Sequence, residues 1–216
     1  MRLSRRLIQN VQGKIPEDNE MSDKIKRLAA AVLLGGKSSR MGRDKAELRI
    51  HFEAGDFTFV QKLASELSDF EEKYLSENSS QNCTLDGFTV VRDAVANIGP
   101  LGGIYSVLSV SKSEFVLFTA CDMPMLTKAA IMHLVDSWKG EDMCIAVTGD
   151  GRHPLVGIYG KACLGCIEEL VEQQTYKPAA LLNMVNSKTV DMSEYAECFL
   201  NINTAEDYLN LASQSV

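Results

Sequence analysis

The chain has 216 residues and a mass of 23.8 kDa, with 45% apolar residues, 24% charged residues and a formal net charge of −7. That is room for one α/β domain with a full core and short for two. The negative balance argues against a general nucleic-acid or membrane-surface binder, which would spread basic charge over a face, so any polyanionic ligand has to be met locally. No apolar run approaches the roughly 18 residues of a spanning helix. The N-terminus lacks an apolar signal region and a small-residue cleavage site, so a cytoplasmic protein is expected.

Met1 to about Lys26 is polar, charged and aperiodic, with Gly13 and Pro16 interrupting any helix. It reads as a flexible extension (1–26) ahead of a domain spanning 27–216. Met21 lies just before the first strand and offers an alternative start for that domain. Leu28 to Leu34 is a short unbroken apolar run, the pattern of a strand buried on both faces of a parallel sheet. Gly35 and Gly36 end it and leave main-chain N–H groups open to an anion. Lys37, Arg40, Arg43 and Lys45 then follow within nine residues. Cations at that density repel one another unless an anion sits among them, which points to a polyphosphate. Spacing excludes a Walker loop, since Gly42 is followed by Arg43 and Asp44, and the order G-x-G-x-x-G of a dinucleotide fingerprint is absent.

Ala46 to Ile50 reads as a connector, and Phe57 to Phe70 as the first crossover helix, with Phe59, Val60, Leu63, Ala64, Leu67 and Phe70 at helical spacing. Lys73 to Leu75 is a weak strand followed by the turn-rich SENSSQN. Phe88 to Val91 is a clear strand that ends at Arg92 and Asp93, which places Asp93 at a carboxyl edge where open parallel sheets bind ligands. In NIGPLGGIYSVLSV, Gly99 and Pro100 make a turn, and Gly102 and Gly103 start a helix. Those glycines either face an anion or relieve a tight strand-to-helix packing. Glu114 to Ala120 is the most apolar strand and runs into Cys121, Asp122, Met123 and Pro124. Asp122 is the strongest catalytic candidate, a carboxylate placed to anchor a magnesium ion on triphosphate oxygens. The plainer alternative, a helix cap for Ala129 to Trp138, suits Thr127 better.

Met143 to Val147 and Leu155 to Tyr159 read as strands around a GDGRHP turn that carries His153. Helices are expected over Lys161 to Val171 and Lys177 to Met184, and short strands over Thr189 to Met192 and Cys198 to Ile202. A last helix follows from Thr204, with Asp207 three residues on as a capping-box variant. The six cysteines do not make a disulfide scaffold and read as reduced, mostly core residues. Cys163 and Cys166 form half of what a zinc or redox site needs, within a helical pattern. Alternating strands and helices without a repeat imply an α/β fold. It is a single Rossmann-like, doubly wound and mostly parallel sheet with helices on both faces, whose late strands have room to pair antiparallel.

The string G-G-x-S-x-R-M-G-x-D-K is far more specific than a glycine turn with scattered cations. With RD before GPLGGI, FTACDMP, HPLVGIY and NINTAEDY in that order, the chain from Leu28 to Leu211 resembles the molybdenum cofactor guanylyltransferases (the molybdopterin-guanine dinucleotide biosynthesis protein A family). The resemblance implies a nucleotide-diphospho-sugar transferase-like fold. It also implies transfer of GMP from GTP to molybdopterin with Mg²⁺ as cofactor and release of pyrophosphate. It assigns Leu33, Leu34, Gly35, Gly36, Lys45, Ser76, Asp93 and Asp122 to GTP, and Asp122 to the metal. It makes Arg40, Lys45 and Asp122 the expected catalytic set; apart from the resemblance, the surfaces around His153, Lys177, Asn201 and Asn203 are read as the pterin side. Partners would be GTP, molybdopterin and other cofactor-synthesis proteins that dock to pass the cofactor on, with neither nucleic acid nor membrane. The chain departs from the family pattern at Leu34, where Ala is usual, and at Ser76, where an Asn would meet the base or ribose and Asn78 is the nearby substitute. It also lacks G-x-P-L before the first helix. Rival readings are a cytidylyltransferase of the same cofactor, a sugar-phosphate nucleotidyltransferase, and a nucleotide-binding module without catalysis.

Overall fold

The computed structural model describes residues 19–34, 48–52, 55–78, 83–95 and 97–214. Helix α1 (Asn19–Lys26) leads directly into β1 (Leu28–Leu33), every residue of which is buried. Successive side chains of a strand go to opposite faces. Leu28, Ala30 and Val32 join one core, and Ala29, Ala31 and Leu33 join the other. With an apolar core on each side, the strand has no place for a polar residue, hence the continuous apolar run.

A small antiparallel hairpin, β2 (Arg49–Phe52) and β3 (Gly55–Thr58), stands apart from the main sheet. The main sheet has seven strands in the order β5-β4-β1-β6-β8-β7-β9. It comprises β1, β4 (Lys73–Glu77), β5 (Thr89–Arg92), β6 (Phe115–Ala120), β7 (Met143–Thr148), β8 (Gly151–Gly160) and β9 (Ser187–Asp191). The pairs β1–β4, β4–β5, β1–β6 and β7–β9 are parallel. β8 runs antiparallel to both β6 and β7. The expected doubly wound, mostly parallel sheet is therefore present, its one reversal among the late strands. Helices α2 (Phe59–Glu66) and α4 (Lys128–Ser137) share the first core with Met21 of α1, and α3 (Pro100–Val110) and α5 (Cys163–Glu172) share the second. A third, small cluster joins Leu48 and Ile50 of the hairpin region to Phe59, Ile202 and Leu211 of α6 (Ala205–Gln214).

Local chemistry explains where the elements differ from the sequence reading. Ala46 to Ile50 is no plain connector, because Arg49 and Ile50 already belong to the hairpin, across which His51 Nδ1 lies 2.7 Å from Asp56 Oδ1. The first crossover helix begins at Phe59 rather than Phe57, since Thr58 caps it: Thr58 Oγ1 accepts from the Gln61 amide, and the Gln61 side chain accepts from the Thr58 amide. GDGRHP is only partly a turn, its last four residues being the start of β8. Pro178–Asn183 is a 3₁₀ segment rather than an α-helix. Cys198 to Ile202 is not a strand. Asp191 Oδ1 accepts both the amide (2.9 Å) and the hydroxyl (2.5 Å) of Ser193, turning the chain into a 3₁₀ segment over Ser193–Phe199. Asn19–Lys26, aperiodic in sequence, is the helix α1, whose Lys24 Nζ donates to the main-chain oxygen of Asp136 at 2.6 Å. Residues 1–18 lie outside the described residues.

Gly157 of β8 sits between β6 and β7, and a Cβ there would lie 2.7 Å from Ile145 Cγ2 and 2.8 Å from the Cys144 oxygen. Gly157→Ala is expected to destabilise the fold by roughly 1–3 kcal/mol through overpacking. Gly165→Ala in α5, where nothing lies within 4 Å, should stabilise by about 0.5–1 kcal/mol. Urea denaturation of the two variants side by side checks both signs.

Candidate active site

From β1 the chain adds β4 and β5 on one side of the sheet and then crosses to place β6 on the other. Strand order reverses between β1 and β6, and the crevice outside their carboxyl ends is where such sheets bind ligands. The pairing continues past both strands: the Cys121 amide donates to Leu33 O at 3.0 Å, and Cys121 Sγ to Leu34 O at 3.4 Å. Leu34 and Asp122 therefore leave the sheet side by side. On the other flank the Leu34 amide donates to Ser76 O at 2.9 Å and the Asp93 amide to Glu77 O at 3.0 Å. Four strand ends thus finish in a row, with Asp93, Ser76, Leu34 and Asp122 along one edge.

Asp122 is half-buried, and its main-chain oxygen accepts from the Ile202 amide at 2.8 Å. Helix capping falls to Thr127, whose Oγ1 accepts from the Ala130 amide at 3.3 Å. A carboxylate at the switch point, with the capping done by its neighbour, is the hard oxygen donor that a magnesium ion takes from protein while phosphates and waters complete its shell. The donor chemistry at Asp122 therefore fits such an ion. Among the described residues no group of three His, Cys, Asp or Glu side chains is placed to hold a metal by itself.

Ser76 is buried at the end of β4, and its Oγ donates to Asp93 Oδ1 at 3.4 Å. Burial raises the Asp93 carboxyl above the usual carboxylate range, and the Ser76 hydrogen bond opposes it. The glycine pair of GPLGGI is explained by this node. A Cβ on Gly103 would lie 2.4 Å from Ser76 Oγ, 3.0 Å from Leu33 Cδ2 and 3.5 Å from Asp93 Oδ1, and one on Gly102 would lie 2.9 Å from Val95 O. Of the two readings of these glycines, close packing is the one with contacts behind it. Two residues that the motifs do not single out complete the node. Ser106 accepts the Ala94 amide at 2.8 Å, tying the loop after β5 to α3. Glu77, buried, takes Arg92 Nε and the Cys83 amide, each at 3.2 Å. Neither Glu77, the last residue of the mixed strand β4, nor Ser106 carries a signal in the sequence.

His153 lies on β8, pairing with Ala146. Its Nε2 is 2.7 Å from Thr148 Oγ1, its ring centroid is 4.7 Å from that of Phe199, and burial lowers its pKa. β8 is antiparallel to β6, so its first residues share an edge with Asp122. Asn201 and Asn203 are exposed and flank Ile202, whose amide holds Asp122. The structure thus brings both asparagines to the same site. Lys177 is exposed just before the 3₁₀ segment Pro178–Asn183, whose Leu181 joins the core of α3 and α5, and it is not among the residues that these hydrogen bonds gather around Asp122. Gly35, Gly36, Arg40 and Lys45 lie outside the described residues, between Leu34 and Leu48. Burial pushes the Cys163 thiol up to about 12, and its Sγ donates to Asp142 O at 3.4 Å while Cys166 Sγ donates to Met184 O at 3.9 Å. Held by main-chain carbonyls, they behave as core residues.

A switch-point crevice with polar residues at the carboxyl ends of β4, β5 and β6, beside the end of β1, is the architecture of a Rossmann-like nucleotide-binding domain. Residues 30–188 match the MobA-like NTP transferase domain. The chain belongs to that family and is a nucleotidyltransferase. A probable molybdenum cofactor guanylyltransferase of Clostridium perfringens is 30% identical over 192 residues, covering 85% of this chain and 95% of that protein. One of Pelotomaculum thermopropionicum is 30% identical over 183 residues, covering 82% and 87%. The crystal structure of molybdopterin-guanine dinucleotide biosynthesis protein A from Archaeoglobus fulgidus shares the fold, with a TM-score of 0.66, 21% identity and coverage of 86% and 97%.

Gly103→Ala is expected to destabilise the protein by roughly 1–3 kcal/mol, the range for overpacking a filled site. Because the nearest obstacle is the Ser76 hydroxyl, adding Ser76→Ala should restore most of the loss. A double-mutant cycle in urea measures the coupling, and additive effects would contradict the close-approach reading.

Proposed function

We propose that this nucleotidyltransferase moves GMP from GTP to molybdopterin, releasing pyrophosphate and forming the guanine dinucleotide form of the molybdenum cofactor. The observation that carries the reading is the joint exit of Leu34 and Asp122 from the sheet, which sets the start of the glycine- and cation-rich loop beside a carboxylate at the switch point. The names of the relatives supply the substrates. Leu33, Leu34, Gly35 and Gly36 are assigned to the nucleotide through main chain, Lys45 to its phosphates, and Ser76 and Asp93 to the nucleoside. His153, Lys177, Asn201 and Asn203 are assigned to the pterin side. Hand-over through docking with other cofactor-synthesis proteins belongs to the same reading.

Asp122 would hold the magnesium ion, which when bound neutralises charge on the phosphates. The phosphate monoester of molybdopterin, with a second pKa of about 6 by analogy with phosphorylated side chains, is already largely dianionic at neutral pH. No strong general base is then required. What remains for the chain is orientation and charge: Lys45 and Arg40 offset the negative charge that gathers at the α-phosphate and the departing pyrophosphate, and the main-chain N–H groups of the loop hold the chain of phosphates in line.

Incubating the protein with each of the four ribonucleoside triphosphates, Mg²⁺ and molybdopterin should release pyrophosphate with GTP in clear preference. Preference for CTP, or turnover only with a sugar phosphate, would replace the guanylyl assignment by one of its rivals. Tight nucleotide binding without pyrophosphate from any acceptor would favour the non-catalytic module. Asp122→Ala and Lys45→Ala are each expected to cost at least about 10²- to 10³-fold in rate, the usual loss for one preorganised electrostatic group, with the circular dichroism spectrum unchanged.

A further inference from the structure

Lys62 is a buried lysine on α2, among the apolar residues Phe59, Val60 and Leu63. Its Nζ donates to the main-chain oxygen of Leu126 and lies 3.3 Å from Glu66 Oε1. The other carboxylate oxygen of Glu66 accepts from the amide of Lys128 at 2.6 Å. One i,i+4 pair on α2 therefore grips a carbonyl and an amide two residues apart, where the loop that carries Asp122 enters α4. Lys128 Nζ adds a contact to Asp69 Oδ1 at 2.7 Å. The opposite end of the loop is held by Ile202, whose amide donates to the oxygen of Asp122.

A core position normally takes an apolar side chain, and burying an ammonium costs free energy unless it is paired and hydrogen-bonded. Burial does lower the Lys62 pKa, with Glu66 pulling the other way. Both partners of the amine serve the geometry of one loop. The same helix begins where the Phe59 amide donates to Leu48 O at 2.9 Å, just after the cation-rich loop.

We infer that Lys62 and Glu66 are positioning residues for the metal-anchoring carboxylate, a two-point clamp from α2 on Leu126 and Lys128 that sets where Asp122 presents itself to the ion. The inference rests on Asp122 being that anchor. Neither residue touches nucleotide or metal. They act through the main chain of the loop, at Leu126 and Lys128.

Lys62→Met, close in length but without charge or donor, tests it. The Mg²⁺ concentration for half-maximal pyrophosphate release is expected to rise about tenfold, the lower end of the loss seen when the support of a metal ligand is removed, with kcat largely recovered at saturating Mg²⁺. Mn²⁺ affinity, read by electron paramagnetic resonance with a non-hydrolysable GTP analogue present, should weaken by a similar factor. A lowered Tm with unchanged Mn²⁺ affinity would mean that Lys62 serves stability alone and would overturn the inference. If Lys62→Met does not fold, Glu66→Gln, which keeps an acceptor for the Lys128 amide, is measured in the same way: weakened Mn²⁺ affinity supports the clamp, and unchanged affinity overturns it. Asp122→Ala is run beside them. Wild-type Mn²⁺ affinity in Asp122→Ala removes the anchor and the clamp with it, whereas loss there with wild-type affinity in the α2 variants removes the clamp alone.

Discussion

The register between β1 and β6 is the constraint on which the site depends. Six consecutive pairs, from Leu28 with Phe115 to Leu33 with Ala120, set the two strands level, and the Cys121 amide extends the ladder by one further bond. Because a slip of one residue would send every side chain to the wrong face, two apolar cores hold that register at once. Leu28, Ala30 and Val32 would otherwise enter the core of α3 and α5, and Ala29, Ala31 and Leu33 the core of α2 and α4. The juxtaposition of Leu34 and Asp122 is thus a consequence of packing along the whole length of the strands rather than of any contact made at the site.

On the other flank the limiting factor is space. Asp93 and Ser76 stand close because β4 and β5 are neighbours, but α3 comes down on them with Gly103, and even a methyl group would strike the Ser76 hydroxyl. A half-buried carboxylate with a raised pKa sits in that corner, supported by one hydroxyl. On this edge Asp122 and Asp93 suit a cation or a hydrogen-bond donor.

Much of this is legible in the sequence, for identifiable reasons. β1 and β6 can be read because strands buried on both faces are apolar throughout, and Asp122 stands out because a carboxylate interrupts such a run. Thr127 is legible as a cap from its place before a helical pattern. The β2–β3 hairpin is not, since its strands are only four residues long and the alternation of Arg49, Ile50, His51 and Phe52 is too short to stand out from a connector. The 3₁₀ segment Ser193–Phe199 is hidden because its direction is set by Asp191 accepting from Ser193, a local hydrogen bond that outweighs the apolar content of Cys198 to Ile202. α1 escapes a periodicity argument because its apolar side is only Met21 and Ile25, with Lys24 buried against Asp136. The clamp of Lys62 and Glu66 is invisible for a deeper reason: both residues have the spacing of an ordinary surface ion pair, and only the fold shows that their partners are main-chain atoms more than sixty positions away.

The C-terminal segment closes the site in a way that follows from the third cluster. Ile202 packs with Leu48, Ile50, Phe59 and Leu211 while its amide holds the oxygen of Asp122. Leu48 follows the cation-rich loop, and its oxygen accepts the first amide of α2. α6 is fixed in turn by its cap, where Thr204 Oγ1 accepts the Asp207 amide at 3.1 Å and Asp207 Oδ2 takes the amides of Asn203 and Thr204, and by Tyr208, whose hydroxyl donates to Arg49 O at 2.8 Å. Burying an Ile or Leu contributes about 1.5–3 kcal/mol, more than any one of these exposed hydrogen bonds at about 0.5–1.5 kcal/mol, so the apolar cluster holds the assembly and the polar contacts direct it. One small core therefore seats the residues that follow the loop, the start of α2 and the residues beside Asp122, and a single main-chain hydrogen bond, from the Ile202 amide, links that core to Asp122.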